Sequence, residues 1–260
     1  MAGAPRAESI AAFFDLDGTL LPSPSLERRF FALLRYRQAI GGENYLRWLA
    51  KAAALAPKGI AAVIHSNKAY LRDVEARHAE KLGREFFPDF FDAALQRIAW
   101  HVGCGHTIVL VSGTPQPLAH KAARRLAEQL REQGISASIK VCATVLEENG
   151  GRWTGKIVGE AMFGKGKARA VRLVSKERGF KLAECFAYGD SIHDRWLLQE
   201  VGRPNAVNPS PDLLRMARRE SWPTLFWKNK GRWKNERVSE RTTAGTGLAT
   251  VASVENRNEL

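Results

Sequence analysis

Ile10-Ala-Ala-Phe-Phe-Asp15-Leu-Asp17-Gly-Thr19 decides how this chain folds. The apolar run through Phe14 has the length and composition of a short buried strand, and the turn residues after it mark its end. Two carboxylates one residue apart at a strand end point the same way, repel each other and call for a cation. Hard oxygen ligands of this type suit Mg²⁺. Taken alone, the same residues also fit an Asp-Gly turn with solvated side chains.

Outward from that strand, residues 107–112, 138–144, 185–188 and 205–207 are further short apolar runs. Residues 117–133, 167–178, 195–201 and 212–219 carry helical period between them. Strands alternating with helices predict an α/β fold, a doubly wound Rossmann-like parallel sheet whose ligands bind beyond the carboxyl ends of the strands. Residues 22–105, between the first strand and the second, far exceed the roughly 2 to 6 residues of a simple βα connection. Within them, 26–40, 45–55, 60–72 and 74–86 have helical period, so a helical cap inserted after the first strand is expected. Residues 8–22 and 105–227 are then the core and 23–104 the cap. Residues 228–260 lose periodicity, open with basic residues and are expected to be a disordered tail. Residues 145–158, with Asn149-Gly150-Gly151 between short alternating runs, read as a β-hairpin, and 222–227 as a final edge strand.

The 260 residues are 45% apolar and 26% charged, which is ordinary for a globular chain and incompatible with wholesale disorder. A net charge of +13 predicts an anionic partner without naming the anion. Cys104, Cys142 and Cys185 form no CxxC pair and argue against a disulfide framework or structural zinc, and for a reducing cytosol. Acids follow the first apolar stretch closely, so no secretory signal is expected. The most membrane-like stretch, 45–64, is interrupted by Arg47, Lys51, Pro57 and Lys58. A cytoplasmic protein is expected, with peripheral membrane contact left open.

At the second strand end, Ser112-Gly113-Thr114 puts a hydroxyl and backbone N–H groups before a helix, where a phosphate can be held; a serine there also serves as an ordinary helix cap. Residues 159–166 nearly spell a phosphate-cradling G-x-x-x-x-G-K-[ST] loop. Gly166 replaces the hydroxyl that should hold the metal and no buried strand precedes it, so a nucleotide loop is rejected. Lys165 and Lys167 remain rival candidates for an ammonium beside the carboxylates, or are solvated surface charges. Tyr188-Gly189-Asp190-Ser191-Ile192-His193-Asp194 then adds two more acids after a short strand.

The ordered set DxDGT at Asp15 to Thr19, SGT at Ser112 to Thr114, GKxxA at Gly166 to Ala170 and GDSxxD at Gly189 to Asp194 resembles the haloacid dehalogenase superfamily of phosphohydrolases, across residues 10–227. The insertion after the first motif, with Val207-Asn208-Pro209, is similar to its phosphoserine phosphatase-like subgroup and to the bacterial branch that includes a phosphatidylglycerophosphate phosphatase. By that resemblance Asp15 is the nucleophile, forming an aspartyl-phosphate, and Asp17 protonates the leaving oxygen and later activates water. Mg²⁺ is held by Asp15, the backbone carbonyl of Asp17 and Asp190, with Asp194 orienting its waters or Lys167. Ser112, Gly113 and Lys167 hold the phosphate oxygens, and Thr19 supports the loop.

The resemblance implies an Mg²⁺-dependent phosphomonoester hydrolase acting on a small or lipid-linked phosphate. Phosphoserine phosphatases carry a glutamate at the cap entrance that reads the substrate ammonium. The matching position here is near Pro24, with Glu27 three residues later, so phosphoserine is not the expected substrate. The cap is basic, with Arg28, Arg29, Arg35, Arg47, Lys51 and Lys58 among its residues, which fits a solvated face or a role in holding an anionic substrate or lipid headgroups. Two competing readings are a nucleic-acid- or membrane-binding module on a vestigial phosphatase fold, and a phosphotransferase. A pure phosphate binder has no need of four acids at the binding edge, and nucleic acid is not an expected partner; a phosphotransferase differs only in the acceptor.

Overall fold

A computed structural model describes residues 9–228, and the expected tail beyond Lys228 lies outside them. Strand β1 (Ala11–Phe14) is wholly buried. Helices α1 (Leu26–Tyr36), α2 (Gly42–Leu55), α3 (Ile60–Ser66), α4 (Arg77–Glu80) and α5 (Asp92–Gly103) follow before β2 (Thr107–Pro115). Then come α6 (Gln116–Glu132), β3 (Ile139–Thr144), the hairpin β4 (Leu146–Asn149) and β5 (Arg152–Ile157), and α7 (Lys165–Arg178). The chain continues through β6 (Phe186–Gly189), α8 (Arg195–Leu198), β7 (Arg203–Val207), α9 (Pro211–Arg219) and β8 (Thr224–Leu225).

The sheet runs β3-β2-β1-β6-β7-β8 with every pairing parallel, which is the doubly wound arrangement. Side chains alternate across a strand, so β1 feeds both faces. Ala12 and Phe14 join Ile98 of α5 and Leu126 of α6 on one side; Ala11 and Phe13 join Val171 of α7, Leu197 of α8 and Leu213 of α9 on the other. Burial on both faces is why the parallel strands read as continuous apolar runs. A third cluster unites Phe30 and Leu34 of α1 with Tyr70, Leu71, Leu118, Leu146 and Trp153, so the hairpin packs on the insertion. Gly150 and Gly151 both have positive φ (56° and 76°) at the hairpin turn, the conformation for which glycine is favoured there.

The insertion departs from the sequence expectation in its middle. Asn67 is extended (φ −95°, ψ 98°) and ends α3, so 60–72 is a short helix followed by a single 3₁₀ turn, Ala69–Leu71. Asp73 has φ 64° and Gly83 is extended, leaving only α4 and the turn Arg84–Phe86 where one helix over 74–86 was expected. Helix α5, whose Ala94, Leu95, Ile98 and His101 face inward at helical spacing, was not anticipated. Helix α1 stops at Tyr36, just before Gln38 with φ 54°. Helix α8 ends at Leu198. Among the described residues no helix is long and apolar enough to cross a membrane.

Candidate active site

The carboxyl ends of β1, β2 and β6 and the first turn of α7 converge on one cavity of about 220 Å³, which Asp15, Asp17, Ser112, Gly113, Lys167 and Asp190 help to line. Asp15 is buried, and its N–H donates to Tyr188 O at 2.9 Å, anchoring the end of β1 to β6. The chain then turns at Gly18, where φ is 91°; a Cβ there would stand 2.2 Å from Asp190 Oδ2. Only glycine lets the two acidic loops approach this closely. Thr19 is fully buried below the turn, and its hydroxyl has no hydrogen-bond partner among the described residues.

The Asp17 carboxylate is fixed at both oxygens. Oδ1 accepts from the Leu26 N–H at the start of α1 (2.8 Å), and Oδ2 accepts from Thr114 Oγ1 (2.6 Å). Ser112 is 1% exposed, with its Oγ accepting from the Thr114 N–H at 3.2 Å. Gly166 is needed for packing, since a Cβ there would lie 2.2 Å from Ala161 O. One residue on, Lys167 Nζ donates to Asp15 Oδ1 (2.5 Å) and Asp194 Oδ1 (2.6 Å). Lys165 points elsewhere, its ammonium 5.0 Å from the centre of the Trp196 ring. Asp194 Oδ2 accepts from Ser191 N (3.0 Å) and Oγ (2.8 Å).

These positions perturb every acid in the group. Burial raises the Asp15 carboxyl to about 7, against the pull of Lys167 and with a push from Asp194. Burial and the neighbouring Asp15 and Asp194 raise Asp190 to about 9. Asp17 is raised by burial despite its two hydrogen bonds. Burial works against the Asp194 carboxylate too, but Lys167 and Ser191 outweigh it and hold this acid below its ordinary range. Lys167 is itself raised, because Asp15 and Asp194 outweigh its desolvation.

Asp15, Asp190 and Asp194 each bring a carboxylate oxygen within 4.8 Å of the other two. One ammonium cannot balance three carboxylates, and a cluster of hard oxygen donors that pushes protons onto Asp15 and Asp190 fits a small divalent cation. Asp17 does not join with its side chain, whose two oxygens accept from the Leu26 N–H and Thr114 Oγ1.

The cavity wall also carries residues outside the four motifs, Glu27, His65 and Phe163 among them. Glu27 lies in the first turn of α1, and its carboxylate accepts from Lys68 Nζ (2.5 Å) and Tyr70 OH (2.6 Å). His65 of α3 stacks on Phe163, with ring centroids 3.6 Å apart, and both line the cavity. Burial, with help from His193 and Lys68, lowers His65 to about 4. Glu27 stands three residues past the position that matches the cap-entrance glutamate, yet the first turn of α1 brings it to the cavity wall. His65 and Phe163 sit in no motif, and only the fold brings them to the pocket.

A profile of the haloacid dehalogenase-like hydrolases matches residues 12–199. Phosphoserine phosphatase SerB1 of Mycobacterium tuberculosis (strain ATCC 25618 / H37Rv) is 32% identical over 265 residues, covering 96% of this chain and 81% of that protein. A protein of unknown function from Bordetella pertussis Tohama I has a similar structure, with TM-score 0.63 and 26% identity over 84% of this chain and 99% of that one. A phosphoserine phosphatase solved as a phospho-aspartyl intermediate analogue shares the fold, with TM-score 0.54 and 18% identity over 86% and 95% of the two chains. The chain belongs to the haloacid dehalogenase-like hydrolase family, as one of its phosphatases.

Proposed function

We propose that this phosphatase hydrolyses a phosphate monoester through an aspartyl-phosphate on Asp15 and requires Mg²⁺. The observation that carries the reading is a buried Asp15 on the cavity wall, bonded to Lys167 and grouped with Asp190 and Asp194. An Asp15 oxygen attacks phosphorus as the bond to the leaving oxygen breaks, and Asp17 supplies the proton that the leaving oxygen takes. Asp17 then removes a proton from water, whose oxygen attacks phosphorus, releases inorganic phosphate and restores the Asp15 carboxylate. Ser112, the Gly113 backbone and Lys167 hold the phosphate oxygens. Mg²⁺ bound by Asp15, the Asp17 carbonyl and Asp190 supplies charge neutralisation, with Asp194 fixing Lys167 and Thr19 supporting the turn.

Magnitudes favour a shared burden. Phosphate monoester hydrolysis needs a barrier reduction of more than about 20 kcal/mol, whereas one electrostatic donor contributes about 3 to 4 kcal/mol.

The substrate we assign is a small or lipid-linked phosphate without an ammonium beside its ester. Lys68 matches the charge of Glu27, so this wall offers no unbalanced anion to a substrate cation. We further assign residues 23–104 as the cap and 8–22 with 105–227 as the core. The cluster around Phe30 and Trp153 joins this insertion to the hairpin and to Leu118 of α6, and α5, at the end of the insertion, packs with the core against the sheet. Unpaired Cys104, Cys142 and Cys185 support a cytoplasmic setting.

The test is phosphate release from an aryl phosphate with and without Mg²⁺, comparing wild type with Asp15→Asn. Metal-dependent turnover lost in the variant is expected. Turnover by Asp15→Asn at the wild-type rate contradicts the proposal.

A further inference from the structure

The catalytic cavity has more wall than a phosphate and its metal use. Ser112, Gly113, Lys167 and the grouped carboxylates serve those two, while Thr114 and Ser191 are bonded to Asp17 and Asp194. Ser25, Glu27, His65 and Phe163 remain for the leaving group. Charge among these four is balanced. Glu27 is the one acid, and Lys68, only 2% exposed, commits its ammonium to it. The insertion is rich in lysine and arginine, yet of the described cations Lys167 alone lines the cavity. A leaving group with an ammonium therefore meets no free anion on this wall, and one with a carboxylate or a second phosphate meets no free cation. Either would shed its water without gaining a partner.

Hydrogen bonding on the same wall is incomplete. A carboxylate offers about four acceptor sites. Glu27 uses three of them, with Lys68 on both oxygens and Tyr70 OH on Oε1, so Oε2 keeps one. Ser25 Oγ accepts from the Arg28 N–H (3.3 Å), which leaves its O–H to donate. Neither ring nitrogen of His65 has a hydrogen-bond partner among the described residues, and burial keeps the imidazole neutral, so one nitrogen donates and the other accepts. An acceptor, a donor and a group that is both suit hydroxyls, which themselves donate and accept. Phe163, stacked on His65, adds apolar surface for the C–H groups between them.

We propose that the substrate is the phosphate monoester of an uncharged polyol or sugar, whose hydroxyls bond to Ser25, Glu27 and His65. This substrate class rests on the hydrolytic reading of the same pocket and narrows it. Its specificity comes from the matched pair Glu27 and Lys68, which removes net charge from the wall but leaves an acceptor on it.

The experiment measures kcat/KM with Mg²⁺ for glycerol 3-phosphate and glucose 6-phosphate, for phosphoethanolamine and 3-phosphoglycerate, and for an aryl phosphate as reference. The better of the two uncharged esters is expected to exceed both charged ones at least about tenfold. His65→Phe keeps a ring on Phe163 and removes both nitrogens, so KM for that ester should rise about tenfold with kcat within about twofold of wild type. Lys68→Met unbalances Glu27 and should shift preference about tenfold toward phosphoethanolamine; Glu27→Gln frees Lys68 and should shift it toward 3-phosphoglycerate. Thermal midpoints check that both buried-pair variants fold. With aryl phosphate turned over, a wild type that prefers either charged ester, or an unchanged KM in His65→Phe, overturns the substrate class alone. A wild type that hydrolyses none of the esters, aryl phosphate included, overturns the hydrolytic reading and the substrate class with it.

Discussion

Lys167 Nζ stands 2.5 Å from Asp15 Oδ1, with both side chains less than a tenth exposed. The same ammonium reaches Asp194, so the proposed nucleophile and the fourth motif are joined through one buried cation. Removing it leaves desolvated carboxylates facing each other. Lys167→Met is therefore expected to lower kcat by about 10² to 10³ and to raise the pH at which Asp15 ionises. Lys165→Ala, which removes only an ammonium over Trp196, should stay near wild type. Steady-state kinetics on an aryl phosphate checks both; equal losses in the two variants contradict the assignment.

Proton linkage gives the ion-free protein a pH signature. Asp15 rises from 3.8 to about 7 and Asp190 from 3.8 to about 9 on folding. The folded state thus holds protons that the unfolded chain has released, and stability contributed by these groups is lost as pH rises through about 7 and then about 9. Mg²⁺ needs the ionised carboxylates, so the increase in thermal midpoint on adding Mg²⁺ should be larger at about pH 9 than at about pH 6. Calorimetry with EDTA and with Mg²⁺ measures the difference; an increase that is flat with pH counts against the cluster as the metal site.

Gly18→Ala tests the approach of the two acidic loops. The added methyl meets Asp190 Oδ2 at 2.2 Å, on a backbone with φ 91°. Asp190 must move or the turn must change, so Mg²⁺ affinity and turnover should both fall by more than tenfold, roughly the cost of about 1.4 kcal/mol or more. Titration of activity with Mg²⁺ reads this directly.

Trp153 on β5 is 2% exposed and meets the Phe30 ring edge-on, with centroids 5.9 Å apart. Trp153→Ala opens a cavity between the hairpin and α1, at an expected cost of about 3 to 5 kcal/mol in denaturant unfolding. A loss below about 1 kcal/mol would mean that the hairpin does not hold the insertion.

Much of this arrangement was legible in the sequence because its chemistry is concentrated in short runs at strand ends. Apolar β1 followed by Asp15 and Asp17, and β6 followed by Asp190 and Asp194, read correctly because strands buried on both faces leave unbroken apolar stretches. The choice between Lys165 and Lys167 was not legible: both lie in the first turn of α7, and the close packing of Gly166 on Ala161 decides which ammonium enters the site. The insertion was harder still. Residues 74–86 have helical period, yet Asp73 and Gly83 adopt backbone conformations that break it. Glu27, His65 and Phe163 reach the cavity through tertiary packing, which no local pattern encodes.

The covalent step on Asp15 is tested most directly by quenching the enzyme during turnover of an aryl phosphate, reducing it with borohydride and mapping the peptides by mass spectrometry. An acyl phosphate on Asp15 is reduced to homoserine at that position, in the presence of substrate and Mg²⁺ only. Reduction confined to Asp15 is the predicted result; an unmodified Asp15 during rapid turnover, or modification at Asp17, Asp190 or Asp194 instead, contradicts the account.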